Sequence, residues 1–131
     1  MSSETYSEIK LELSSLHKLL DTYCTLLEKV RTLEPNDVEL LALAGILHSF
    51  YSGLENIFKR IAGDIDGNFV KTGSWHSVLL ENMAIPTPKR SAVISEILKK
   101  QLQFYLNFRH VFRGAYSYDL NWQKMKSLVL E

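Results

Sequence analysis

The densest chemistry in the sequence lies in FYLNFRHVFRGAYSYDLNW, residues 104–122, where aromatic, basic and hydrogen-bonding side chains crowd the end of a candidate helix. At about 100° per residue, Arg109, Arg113 and Tyr116 fall on one arc. The adjacent arc carries Phe104, Phe108, Val111, Phe112 and Ala115 and would face a core. Two guanidinium groups and a phenol on one surface can grip phosphate oxygens through forked donors, which suits an RNA backbone. A purely structural role fits the same residues. Arg at a helix C-terminus gains from the dipole, Tyr at a boundary buries its ring and keeps its hydroxyl wet, and Gly114 is an ordinary helix terminator.

Elsewhere the chemical signals are thinner. His17, His48, His76 and His110 are scattered, without Cys or paired carboxylates at ligand spacing, so no metal site and no cofactor is expected. His48 lies one residue from an apolar stripe and fits a satisfied core histidine. Trp75 and Met83 fit the packing of a short helix, although a tryptophan beside a loop can also stack on a base. Gly63, Gly67 and Gly73 lack the spacing and the preceding strand of a phosphate loop. Lys99 and Lys100 fit a solvated face.

These residues must be held by helices. Over residues 9–33, Leu13, Leu16, Leu20, Tyr23, Leu27 and Val30 recur at alternating spacings of three and four, one stripe of a helix. LEPND interrupts it: Pro35 disfavours helix at Glu34, and Asn36 with Glu39 three residues on forms a capping box opening a second helix. There Leu40, Leu43, Leu47, Phe50, Leu54, Ile57 and Ile61 repeat the spacing, and two such helices joined by a short turn form an antiparallel hairpin. Residues 63–73 read as a loop, followed by a short third helix capped by Ser74 or Thr72. After IPTPKR, Ser91 would cap a long helix starting at Ala92, and residues 121–130 would form a last short one. With no strand alternation and no internal repeat, the expected fold is all-α, a four- or five-helix up-and-down bundle.

Composition narrows the setting. At 131 residues the chain has the size of a single domain, 1–131, able to bury a core unaided. Lys plus Arg equals Asp plus Glu, 15 against 15, so no global attraction to nucleic acid or anionic membrane exists and an RNA site must be a local cluster. The one cysteine, Cys24, sits among apolar residues at helical spacing and reads as a buried core thiol in a reducing compartment. The polar, acidic start MSSETYSEIKLE is no signal peptide, and no apolar run approaches the roughly 20 residues that span a bilayer. A cytoplasmic protein without a membrane partner is the expectation.

The segment around Arg109 also resembles a known family. HEPN domains carry an Arg, four to six residues and a His, and the HepT-like branch extends this to Arg, four residues, His, one residue, Tyr. Here Arg109, HVFR, Gly114, Ala115 and Tyr116 match at both ends and depart in the middle. WHSVLLENMA at 75–84 and KRSAVIS at 89–95 are similar to the corresponding segments of the cyanobacterial-type HepT-like family, and the similarity runs through most of the chain after about residue 36. The resemblance implies a HEPN-like bundle and a metal-independent endoribonuclease, the toxin of a type VII-like HEPN/MNT toxin–antitoxin pair, with transfer RNA as its substrate. It implies a homodimer with the two motifs meeting in a cleft. Arg109 would steady the scissile phosphate while the motif His moves protons for the attacking 2′-hydroxyl. It also implies a partner, an MNT-type nucleotidyltransferase that silences the toxin by AMPylation of Tyr116, placing a charged nucleotide over Arg109 and Arg113.

Gly114 is the departure with the largest consequence. Glycine has no side chain to move a proton, and losing such a group costs on the order of 10²–10⁴ in rate, so this chain would be catalytically impaired. His110 is a poor substitute, lying about 100° from Arg109 on a regular helix. The glycine marks either an inactivated form of a lethal nuclease or a chain that lost cleavage and kept binding. Two functions follow: an RNA-cleaving toxin, or a non-catalytic helical module that binds a nucleotidyltransferase, nucleotide or RNA.

Overall fold

The computed structural model describes residues 3–67, 71, 73–114 and 120–130, with Ser3 and 111–114 described by backbone alone. Within them lie helices α1 (Ser3–Thr22), α2 (Cys24–Lys29), α3 (Asp37–Arg60), α4 (Trp75–Met83), α5 (Glu96–Gly114) and α6 (Trp122–Leu130), and no strand. This is an all-α, HEPN-like bundle. Among the described residues no helix is long and apolar enough to cross a membrane.

The expected hairpin is present. Asn36 Oδ1 accepts from Glu39 N at 2.8 Å and Glu39 Oε1 accepts from Asn36 N at 3.0 Å, so the capping box satisfies two donors left over by helix geometry. α1 then runs back along α3 in antiparallel register: Leu16 meets Gly53, Glu12 accepts from Asn56, Glu8 pairs with Arg60, and Thr5 donates to Asp64 at 2.8 Å. Gly53 sets how close the helices come, since a Cβ there would lie 2.5 Å from Leu16 Cδ2.

Several details depart from expectation. The first helix breaks at Tyr23, whose φ of −108° and ψ of 18° leave the α region, and regular helix stops at Lys29 rather than reaching residue 33. Its stripe is only partly covered: Leu16 and Val30 are buried, but Leu13, Leu20 and Tyr23 are exposed. Cys24 is exposed rather than a core thiol, because beside this break it lines an open cleft with Leu20 and Leu27 instead of facing α3 squarely. The loop expected at 63–73 begins later, since α3 continues as a π-helical turn (Ile61–Asp66) and leaves the helix at Gly67, whose φ of 73° favours glycine.

α4 starts after Ser74 as expected, but no side-chain cap bond forms there, and Thr72 lies outside the described residues. α5 starts at Glu96 rather than Ala92. Its cap is Ser95, whose Oγ accepts from Leu98 N at 3.0 Å, and not Ser91. The intervening chain is instead tied down by Arg90. Its guanidinium makes a bidentate pair with Asp66 (2.9 and 2.8 Å) and donates to the carbonyls of Asn82, Ile85 and Ser91. Those donors tie the end of α4 to the chain that follows it.

α3 is the hub, touching α1, α4, α5 and α6. One apolar cluster gathers Tyr51, Ile57 and Phe58 of α3 with Leu79, Leu80 and Met83 of α4 and Leu102 and Leu106 of α5. A second joins Leu40, Leu43 and Leu47 to Trp122, Met125 and Leu128 of α6, and Tyr105 packs on both. So α3 has core on two sides, and any polar residue pointing into it needs a partner.

Candidate active site

Such a residue exists. Leu47, Tyr51, Glu55, Phe58 and Ala62 follow spacings of four, four, three and four, a second inward stripe beside the one read from the leucines. Glu55 is 2 % exposed. A buried carboxylate is costly unless paired, and both its oxygens are engaged. Oε1 accepts from Arg109 Nη1 at 2.8 Å, and Oε2 lies 2.8 Å from His76 Nδ1. Three helices, α3, α4 and α5, thus converge on one carboxylate.

Arg109 therefore sits differently from its expected place. It is turned toward Glu55, with its side chain only 15 % exposed, rather than standing on an outer surface. The core face of α5 is carried by Leu102 and Leu106, with half-buried Tyr105, while Phe104 is 64 % exposed and Phe108 half-buried. The expected core arc through Phe104 is accordingly displaced by roughly half a turn. The aromatic residues suggested that arc, but the smaller leucines fit the space beside α3 and α4, and the Glu55 charge draws Arg109 to the same side. His110 is exposed and Gly114 is the last residue of α5. Arg113 and Tyr116, with Val111, Phe112 and Ala115, fall outside the described side chains.

Around the Glu55 pair, Tyr51 Oη and Arg109 Nε are buried without a hydrogen-bond partner among the described residues. Burial pushes the Tyr51 hydroxyl well above the ordinary tyrosine range; the Glu55 charge adds to this and Arg109 opposes it. It remains a neutral phenol at any physiological pH. The Trp75 ring stacks on the His76 imidazole with centroids 3.6 Å apart and planes at 29°. Lys59 Nζ and Lys71 Nζ lie 5.8 and 5.4 Å from the Trp75 ring, so the outer edge of this site is cationic. Beside the buried carboxylate, the His76 side chain keeps 29 % of its surface exposed.

Glu55, His76 and Tyr51 escaped the sequence reading. The signal for Glu55 was an acid among apolar residues at three-four spacing. His76 carried none, since its partner lies 21 residues away. Among the described residues no group of three or more His, Cys, Asp or Glu is arranged to hold a metal ion.

A family model described as HepT-like protein matches residues 42–131. No curated protein and no solved structure matches the chain. The matched stretch begins inside α3 and carries Glu55, His76 and Arg109, so the site lies wholly within the region by which this chain belongs to the HepT-like family of HEPN proteins.

Proposed function

We propose that this chain is the toxin of a HEPN/MNT pair, a metal-independent endoribonuclease of the cytoplasm acting on transfer RNA, folded as one domain over residues 1–131. The observation that supports it most is the Glu55–Arg109 pair inside the family-matched region. A guanidinium fixed at one Nη by a buried carboxylate keeps its remaining donors pre-aimed, and pre-aimed donors stabilise the charge developing on a phosphate in the transition state. Arg109 holds the phosphate in this reading, and Arg113 adds a second guanidinium along the same helix.

Activity is low, because Gly114 stands at the family's proton-transfer position and contributes no side chain. The partner nucleotidyltransferase silences the toxin by transferring AMP to Tyr116, whose negative charge then competes with RNA for Arg109 and Arg113. Dimerisation runs through α5. Ile97 and Phe104, 73 % and 64 % exposed and seven residues apart, present two large apolar side chains on its outer face.

A second reading, a non-catalytic module binding a nucleotidyltransferase, nucleotide or RNA, is favoured by the same glycine. One experiment separates them: cleavage of total RNA without added metal by the chain as it stands, by Gly114→His and by Gly114→His with Arg109→Ala. A gain of about 10²-fold or more on Gly114→His, abolished by Arg109→Ala, supports the nuclease. Absence of cleavage in every form leaves the binding module.

A further inference from the structure

We propose that His76 is a catalytic residue of this nuclease, taking the proton-transfer part that Gly114 cannot fill; this rests on the ribonuclease reading above. The argument starts at Glu55. Its carboxylate binds Arg109 through Oε1 and His76 through Oε2, both at 2.8 Å, so the imidazole and the phosphate-holding guanidinium flank one buried anion. An ionised carboxylate can only accept, which puts hydrogen on Nδ1 and leaves the lone pair of the neutral ring on Nε2. A carboxylate behind an imidazole, fixing its tautomer and stabilising the imidazolium as it forms, suits the ring to act as a general base.

The other surroundings agree. Glu55 is buried while the His76 side chain keeps 29 % of its surface, so the ring is anchored inside and reachable outside. Trp75 stacks on its face, and Lys59 and Lys71 line that edge with positive charge where a polyanion would lie. Neither His17, exposed on α1, nor His110, exposed on α5, is joined to Glu55.

The step is internal transesterification. His76 Nε2 takes the proton of the RNA 2′-hydroxyl as that oxygen forms a bond to phosphorus. The bond from phosphorus to the 5′-oxygen breaks, the leaving oxygen takes a proton from water, and His76 returns its own to solvent. The products are a 2′,3′-cyclic phosphate and a 5′-hydroxyl.

The test uses the full chain on total RNA without added metal. His76→Asn keeps an N–H donor where Nδ1 sits and removes the base at Nε2. The unchanged chain should cleave slowly, and His76→Asn should lose about 10²-fold or more of that rate with its melting temperature nearly unchanged. Added imidazole should restore part of the cleavage to His76→Ala, which a structural role would not allow. Equal rates in His76→Asn and the unchanged chain overturn the proposal. So does an inert unchanged chain beside an active Gly114→His, an outcome that keeps the ribonuclease reading intact. If Gly114→His is also inert, both readings fall.

Discussion

Glu55 Oε1 accepts a hydrogen bond from Arg109 Nη1 at 2.8 Å, joining the middle of α3 to the later turns of α5 across 54 residues of sequence. Both side chains are largely removed from water, so each stabilises the other's charge where solvent does little. Removing one partner leaves the other uncompensated. Glu55→Ala should destabilise the fold by about 3–5 kcal/mol, read as a lower urea midpoint, and Glu55→Gln by less. A shift of under about 0.5 kcal/mol for Glu55→Ala, the range of ordinary surface substitutions, would contradict the pairing.

Arg109→Lys tests what the guanidinium does beyond its charge. A lysine ammonium is a point charge on a flexible stem and cannot hold Glu55 with one donor while keeping a fixed fork for phosphate. In a Gly114→His background, Arg109→Lys should lose about 10²–10³ in cleavage rate, the scale for a missing oxyanion donor. A rate within a few-fold of the parent would show that charge alone suffices.

Tyr51 offers a contrast. Its hydroxyl is buried without a partner among the described residues, so Tyr51→Phe deletes a group that costs desolvation and returns little. Stability should change by less than about 1 kcal/mol, with a gain more natural than a loss. A drop of several degrees in melting temperature would mean that the hydroxyl has a partner after all.

Helix α3 depends on its cap. Asn36→Ala should cost about 1 kcal/mol. Glu39 is held below the usual carboxylate range by the Lys29 hydrogen bond first and then by the Asn36 N–H. Its depressed pKa stabilises the fold above the ordinary value of 4.5, and that contribution is lost as pH falls through the folded-state value. The advantage of the parent over Glu39→Gln, measured by denaturant titration, should therefore be present at pH 7 and vanish on acidification. An advantage that persists in acid would contradict the linkage.

Arg90 is the clamp behind α4. It is nearly buried, and it joins Asp66 to three backbone carbonyls. Arg90→Ala should cost about 3–5 kcal/mol, leaving Asp66 unpaired, and Arg90→Lys should rescue little because one ammonium cannot span those acceptors. Thermal melting of the two variants decides it: rescue of more than half the loss by lysine would show that charge outweighs geometry.

What was legible in the sequence was local. The Asn36–Glu39 box, the leucine stripe of α3 and the start of α6 all depend on residues within a turn or two of each other. The faces that needed distant information came out less well. Leu102 and Leu106 displaced Phe104 from the core because α3 and α4 together decide which side of α5 is covered. His76 and Arg109 meet only because both reach the same carboxylate from 21 and 54 residues away. Glu55 itself was visible in principle as an acid on an apolar stripe, and a search for buried charge along α3 would have found the centre of the site before its ligands. The break at Tyr23, which leaves Cys24 exposed, has no sequence signal we can identify.

The π-helical turn at Ile61–Asp66 gives this end of α3 tolerance to chain length. A wide turn holds one residue more than an α-turn covering the same stretch. Thr5 meets Asp64 and Arg90 meets Asp66 on this turn. Deleting Gly63 would let the backbone tighten to an α-turn over that stretch while the helix before it keeps its course. One codon lost here would therefore be absorbed locally, where the same loss in the middle of α3 would rotate every later side chain by about 100°.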